Sequence, residues 1–199
     1  MLRKSELLEA IASTNRGLLV SDDERLAILA LVARLEDSNP TPRPLEAAEL
    51  LEGNWRLLYT TSDELLGIDR VPLVKLGHIY QCVRLAETRI YNLAEVGTLP
   101  YLEGLVSVAA TFEAVSDKRV TVRFQRAVFG LQWLLGYQSP NQFIAKLMQS
   151  EKLTLLQGVD FEINREQSGW LEITYLDADM RIGRGNQGSV FVLKKVANR

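Results

Sequence analysis

Apolar residues recur along this chain with two different periods, and the change falls at Gly53. Before it, Leu7, Leu8 and Ile11 share one helical face, and Ile28, Leu31, Val32 and Leu35 repeat that spacing in a second segment. Ser21-Asp22-Asp23-Glu24 has the form of a capping box at the start of that second helix. Asn39-Pro40 ends it. Pro44 then opens a short third helix through Leu51, with Gly53 suited to its C-terminal stop. The apolar stripe is narrow, so these helices need a surface to pack on.

After Gly53 the period is two. Trp55, Leu57, Tyr59 and Thr61 alternate with Asn54, Arg56, Leu58 and Thr60. Strand-like runs follow at 78–85, 88–96, 105–115, 119–129, 158–164, 169–176, 179–184 and 189–195, most of them separated by Ser, Asp, Asn and Gly turn signals. So long a succession of antiparallel strands must hide its edges, and closure into a barrel does so. The predicted fold is mainly β: an antiparallel barrel of about 8–9 strands over 53–196, with N-terminal helices (1–52) packed on it, in one domain spanning 1–199.

Two apolar stretches break the strand rhythm, 62–77 and 130–149, the second with a short helix around Phe143, Ile144, Leu147 and Met148. Either they fold back as core or they form an apolar rim that meets lipid or a partner. On the second reading the contact residues are Leu65, Leu66, Trp133, Leu134 and Leu135.

Composition narrows the chemistry. The chain has 199 residues, 47% hydrophobic and 24% charged, with a net charge of −2 that offers nucleic acid no general attraction. One cysteine, Cys82, rules out an internal disulfide, and one histidine, His78, leaves no ordinary Cys/His zinc set within a single chain. A Ser-His-Asp triad would have only His78 to use. No run approaches the ~18 apolar residues of a membrane span. The opening MLRKSELLEAIAST is broken by Glu6 and Glu9 and reads neither as a secretory signal nor as a transit peptide. No residues stand at nucleophile, metal or phosphate-loop spacing, so no catalytic residue and no required cofactor is expected.

Gly53-Asn54-Trp55 at the first barrel strand, with Arg181 in a late strand and Arg184 as its alternate, resembles the lipocalin arrangement. There an indole closes one end of the barrel and a guanidinium lies across it, a stacked cation–π contact. GNWRLLYTTS, the GHIYQ block with its IYN neighbour, and YLDADMRIGRGNQGSVFVLKK resemble the plastid lipid-associated protein family, the fibrillins, over roughly residues 5 to 196. Met180 stands where leucine is expected, and Gly183 fills a variable slot where it could weaken its strand. The resemblance implies a lipocalin-like barrel that associates with lipid: carotenoids, quinones and other isoprenoids, fatty acids, thylakoid membranes and lipid globules. It also implies roles in photoprotection or isoprenoid handling, and for some members partnership with a prenyl-chain synthase. Without a transit peptide, the chain reads as a cyanobacterial-type member, cytoplasmic and peripherally attached to thylakoid or globule surfaces.

On this reading the candidate ligand-binding residues are Trp55, Tyr59, Tyr80, Phe112, Arg123, Tyr175, Asp179 and Arg181. Tyr59 shares the alternation of Trp55 and is a wall candidate, while Tyr80 and Tyr175 present hydroxyls either inward or outward. Val120, Val122 and Phe124 alternate with Thr121, Arg123 and Gln125, so either the apolar set faces in or Arg123 does, the latter requiring a partner charge. Asp179 and Arg181, two apart, should share a face as a polar pair near the opening. Three functions remain: a carrier of an apolar small molecule, a scaffold on lipid or on an enzyme, and an isomerase-like enzyme that would need a buried carboxylate.

Overall fold

The computed structural model describes residues 2–62, 75–97, 102–149, 152–154, 156–163 and 168–196. Two helices open the chain, α1 (Leu2–Ala12) and α2 (Asp22–Glu36), followed by a 3-10 turn at Pro44–Glu46 and the short α3 (Ala48–Leu51). Ser21 caps α2 as its spacing predicts: its hydroxyl accepts from the Glu24 amide, and the Glu24 carboxylate accepts from the Ser21 amide at 2.9 Å. The α1–α2 connection turns through positive φ at Asn15, Arg16 and Gly17. Gly17 is required there, since a Cβ would lie 2.4 Å from the Thr60 carbonyl oxygen.

Among the described residues nine strands follow: β1 (Gly53–Thr60), β2 (Lys75–Arg84), β3 (Arg89–Gly97), β4 (Gly104–Ala114), β5 (Arg119–Leu131), β6 (Val159–Glu162), β7 (Ser168–Leu176), β8 (Met180–Gly185) and β9 (Val190–Val196). Between β5 and β6 lie α4 (Gln132–Leu135) and α5 (Pro140–Gln149). Every pairing is antiparallel, and the order β1-β2-β3-β4-β5-β7-β8-β9 closes back on β1. The alternation of the sequence thus becomes an eight-stranded closed barrel, with β6 as a ninth strand outside the closed ring. The long β5 carries both flanking strands on one edge: β7 pairs with Arg119–Arg123 and β6 with Arg126–Phe129.

Helices cover the barrel on two sides. Leu7, Ile11, Ile28, Val32 and Leu35 of α1 and α2 pack on the outer faces of β1, β7, β8 and β9, against Tyr59, Met180, Ile182 and Val192. The Arg184 guanidinium grips Glu36 with two hydrogen bonds, 2.8 and 2.6 Å, locking α2 to β8. On the other side Phe143, Ile144 and Leu147 of α5 cover Cys82, Tyr91, Leu93 and Val128 of β2, β3 and β5. Cys82 is fully buried there, and burial pushes its thiol up to about 12, so it is inert packing.

Lys4 ties α1 to the β7–β8 turn, donating to Asp177 at 2.8 Å and also to Asp179. Burial alone would raise the Asp177 pKa. The Lys4 ammonium, the Tyr175 hydroxyl and the amides of Asp179 and Met180 outweigh it and hold the carboxyl well below the usual carboxylate range. A folded-state pKa below the unfolded value of ~3.9 means the contribution is present above about pH 4 and lost on acidification. Hydrogen exchange of α1 amides should therefore accelerate, relative to barrel amides, as pH falls below about 4, after correction for intrinsic rates. Asp177→Asn should show that loosening already at neutral pH. Equal α1 protection in both proteins would remove the turn carboxylate from the docking of α1.

Candidate functional site

Trp55 is fully buried at one end of the barrel. Its indole donates to the Leu51 carbonyl at 3.0 Å, so α3 holds the ring in place. The Arg181 guanidinium lies 4.9 Å from the ring centroid and the Lys195 ammonium 5.3 Å from it. Lys195 is itself held at the base by the Glu49 and Leu50 carbonyls, at 3.1 and 2.7 Å. The floor expected from Gly53-Asn54-Trp55 and Arg181 is therefore in place.

Above this floor a cavity of about 560 Å³ opens inside the barrel. Its walls include Leu57, Ile79, Ile90, Val108, Val122 and Ile173, with Gly183 and Gly185 on β8. Gly183 leaves space rather than merely weakening its strand, and a Cβ there would approach Leu171 Cδ1 to 3.2 Å. The polar groups form a chain: Arg181 donates to Gln81 Oε1, and Gln81 Nε2 donates to Asn92 Oδ1 at 3.0 Å. Arg181 is 2% exposed, and among the described residues no carboxylate pairs with it. Burial pushes its pKa down to about 9, which still leaves it charged at neutral pH.

The other predicted residues divide by face. Tyr59 and Tyr175 stand on the outer side, in the layer under α1 and α2. Register shifts between Leu57 and Tyr59 and between Ile173 and Tyr175 insert a residue and reverse the alternation, which is why Tyr59 departs from the face of Trp55. Tyr175 donates to Asp177 at 2.7 Å. Asp179 is exposed in the β7–β8 turn with Lys4, so it does not share a face with Arg181: it precedes the strand that fixes the alternation. Arg123 is exposed and Val120 and Val122 are buried, so the apolar-in reading of β5 holds for the valines, while Phe124 lines the cavity yet stays 39% exposed. Phe112 packs with Ala110, Val120 and Val122, beside the cavity rather than in its lining. Tyr80, between the inward Ile79 and Gln81, packs half-buried on the outer cluster under α5, its ring edge-on to His78 at 6.0 Å. Gln81 and Asn92 were not singled out from the sequence. Their signal was present in the inward positions of β2 and β3, opposite Trp55 and each other.

At the far end of β5 the apolar face is uncovered. Val128 and Asp160 turn to the outer layer, so Phe129, Val159 and Phe161 continue the face of the barrel interior. All three are exposed, and the two phenyl rings stack at 5.9 Å. Trp133 on the following α4 is 66% exposed. Leu134 is half-buried. Leu135, expected on the rim, is instead fully buried under α5 with Phe143 and Ile144, because α4 is amphipathic and turns it inward. Leu65 and Leu66 lie outside the described residues.

Among the described residues no group of three or more His, Cys, Asp or Glu could hold a metal ion, and no helix is long and apolar enough to cross a membrane. The chain is 32% identical over 98% of its length to a chloroplastic light-induced protein of Solanum tuberosum, covering 67% of that protein. It is 33% identical over 96% of its length to a chromoplast-specific carotenoid-associated protein of Cucumis sativus, covering 67% of it. Identity is also 33%, over 96% of this chain and 60% of the relative, to plastoglobulin-1 of Pisum sativum. No solved structure matches. The PAP_fibrillin family model matches residues 1–194, and together with these relatives it shows that this chain belongs to the plastid lipid-associated protein (fibrillin) family.

Proposed function

We propose that this protein is a non-catalytic, lipid-associated carrier that holds one amphiphilic apolar molecule in its barrel. The observation that carries this reading is Arg181: a buried cation that has no carboxylate partner among the described residues, at the base of an otherwise largely apolar cavity. An uncompensated buried charge is costly, and a ligand whose head offers an anion or a carbonyl oxygen offsets that cost. The cavity volume falls in the range of small-molecule sites. Within the expected set of carotenoid, quinone or other isoprenoid, and fatty acid, this favours a quinone carbonyl or a fatty-acid carboxylate over a hydrocarbon carotene. The names of the carotenoid-associated relative and of plastoglobulin-1 support lipid as the working environment. Titration of purified protein with a fatty acid, a prenylated quinone and β-carotene, read by intrinsic tryptophan fluorescence, to which Trp170 in the cavity lining contributes, tests it. Saturable one-to-one binding of a head-bearing ligand is expected. No saturable binding of any of the three would remove the carrier reading.

The exposed Phe129, Val159, Phe161 and Trp133 favour a second, compatible reading, a scaffold at the surface of thylakoids or lipid globules or on a prenyl-chain synthase. In this reading the patch seats the barrel at an apolar surface, attached peripherally, in service of photoprotection or isoprenoid handling. Flotation with lipid droplets should fall about tenfold or more in a Trp133→Ser, Phe161→Ser double variant, since each exposed aromatic contributes ~1.5–3 kcal/mol when buried. Undiminished flotation would place the contact elsewhere.

A further inference from the structure

One rung of the barrel interior runs Trp55, Gln81, Asn92 and Val108 across β1 to β4. Its two middle members place amide side chains in a wall that is apolar around them, at Ile79, Ile90 and Val108. Both amides are half-buried and line the cavity. Polar groups in such a wall carry a desolvation cost unless their hydrogen bonds are made, so which atoms are paired and which are left facing the cavity decides what it accepts.

Arg181 dictates how both amides point. A guanidinium carries donors only. Gln81 must therefore turn Oε1 toward Arg181 Nη2, which leaves Nε2 on the far side. That Nε2 donates to Asn92 Oδ1 at 3.0 Å. Asn92 is left with Nδ2, which meets no acceptor among the described residues. Flipping either amide would set donor against donor or acceptor against acceptor. The relay thus turns one buried cation into a second, neutral donor further along the wall. What the cavity offers is lopsided. Among the described residues Arg181 alone brings charge to the lining, and both amide oxygens already accept a bond. An oxygen head without a hydrogen of its own meets donors at both ends of the relay, and a carboxylate gains charge-assisted bonds there. A hydroxyl head brings a proton to oxygens that are already engaged.

We propose that Gln81 and Asn92 set the head-group specificity of the barrel, selecting a lipid that ends in a carboxylate over the same chain ending in a hydroxyl. This rests on the carrier reading above. The test compares decanoate with decanol at neutral pH, by intrinsic tryptophan fluorescence and by the Asn92 side-chain amide resonances of isotope-labelled protein. Decanoate should bind about tenfold tighter or more and shift those resonances. Asn92→Asp keeps Oδ1 for Gln81 but puts an anion where the donor was. It should weaken decanoate about 100-fold and leave decanol equal or tighter, inverting the order. Asn92→Leu adds no charge and should weaken decanoate about tenfold with little effect on decanol, so the test survives if the aspartate variant does not fold. Melting curves without ligand separate loss of fold from loss of selectivity. If neither ligand saturates, the carrier reading falls and this inference with it. If both bind equally, if the order survives both variants, or if the Asn92 resonances do not move, the relay is overturned while the carrier stands.

Discussion

Trp55→Ala should be the most destabilising single truncation in the barrel floor, costing ~3–5 kcal/mol and lowering the melting temperature by about 6–20 °C. The ring is fully buried among Leu51, Leu57, Val83 and Leu176, and its removal leaves a cavity that eight paired strands cannot easily collapse. Two further losses add to the void. The Leu51 carbonyl loses its indole donor, and Arg181 and Lys195 lose the ring beneath their charges. Against a typical total of about 5–15 kcal/mol, a loss of that size takes a large share of the fold's stability. Trp55→Phe keeps most of the packing but not the hydrogen bond, and should cost less, roughly 1–2 kcal/mol. Urea unfolding of the three proteins measures this. A loss below about 1 kcal/mol for Trp55→Ala would mean that the base repacks freely, and that the indole is not what holds it closed.

The reach of the sequence is instructive in this floor. The alternation that starts at Trp55 is enough to place nine strands within a few residues, because a half-buried strand writes its two faces directly into its apolar positions. Closure could be argued from the need to cover edges, and Ser21-Asp22-Asp23-Glu24 announced α2 because a cap is local chemistry. What failed to follow was face. A bulge changes parity without leaving a mark in composition, so Tyr59 and Tyr175 lie beneath helices although simple counting places Tyr59 in the cavity wall. Leu135 shows the same weakness in another form: an apolar residue in a loop-like stretch is core or rim according to what packs above it, and α5 does so. Gln81 and Asn92 are ordinary polar residues in strands and become informative only when closure aims them at Arg181.

Arg181→Met should separate ligand affinity from stability, and in opposite senses. The methionine fills similar volume with apolar atoms and relieves the protein of a buried charge held by one hydrogen bond to Gln81 and by the face of Trp55. The empty protein should therefore be as stable as wild type or more so, since relief of desolvation outweighs a cation–π contact of ~0.5–2 kcal/mol. Affinity for a fatty acid should fall about 10- to 100-fold, the equivalent of a charge-assisted hydrogen bond of ~1.5–3 kcal/mol. Affinity for β-carotene, which has no head to pair, should hold or rise. Arg181→Lys retains the charge on a shorter, non-planar donor and should lie between the two for a carboxylate. The pattern matters more than any single value. If Arg181→Met destabilises the empty protein and leaves fatty-acid affinity unchanged, the guanidinium is a structural brace for Trp55, and the cavity above it selects by shape alone. If stability holds while head-bearing ligands weaken, the charge at the floor is kept for what the barrel carries.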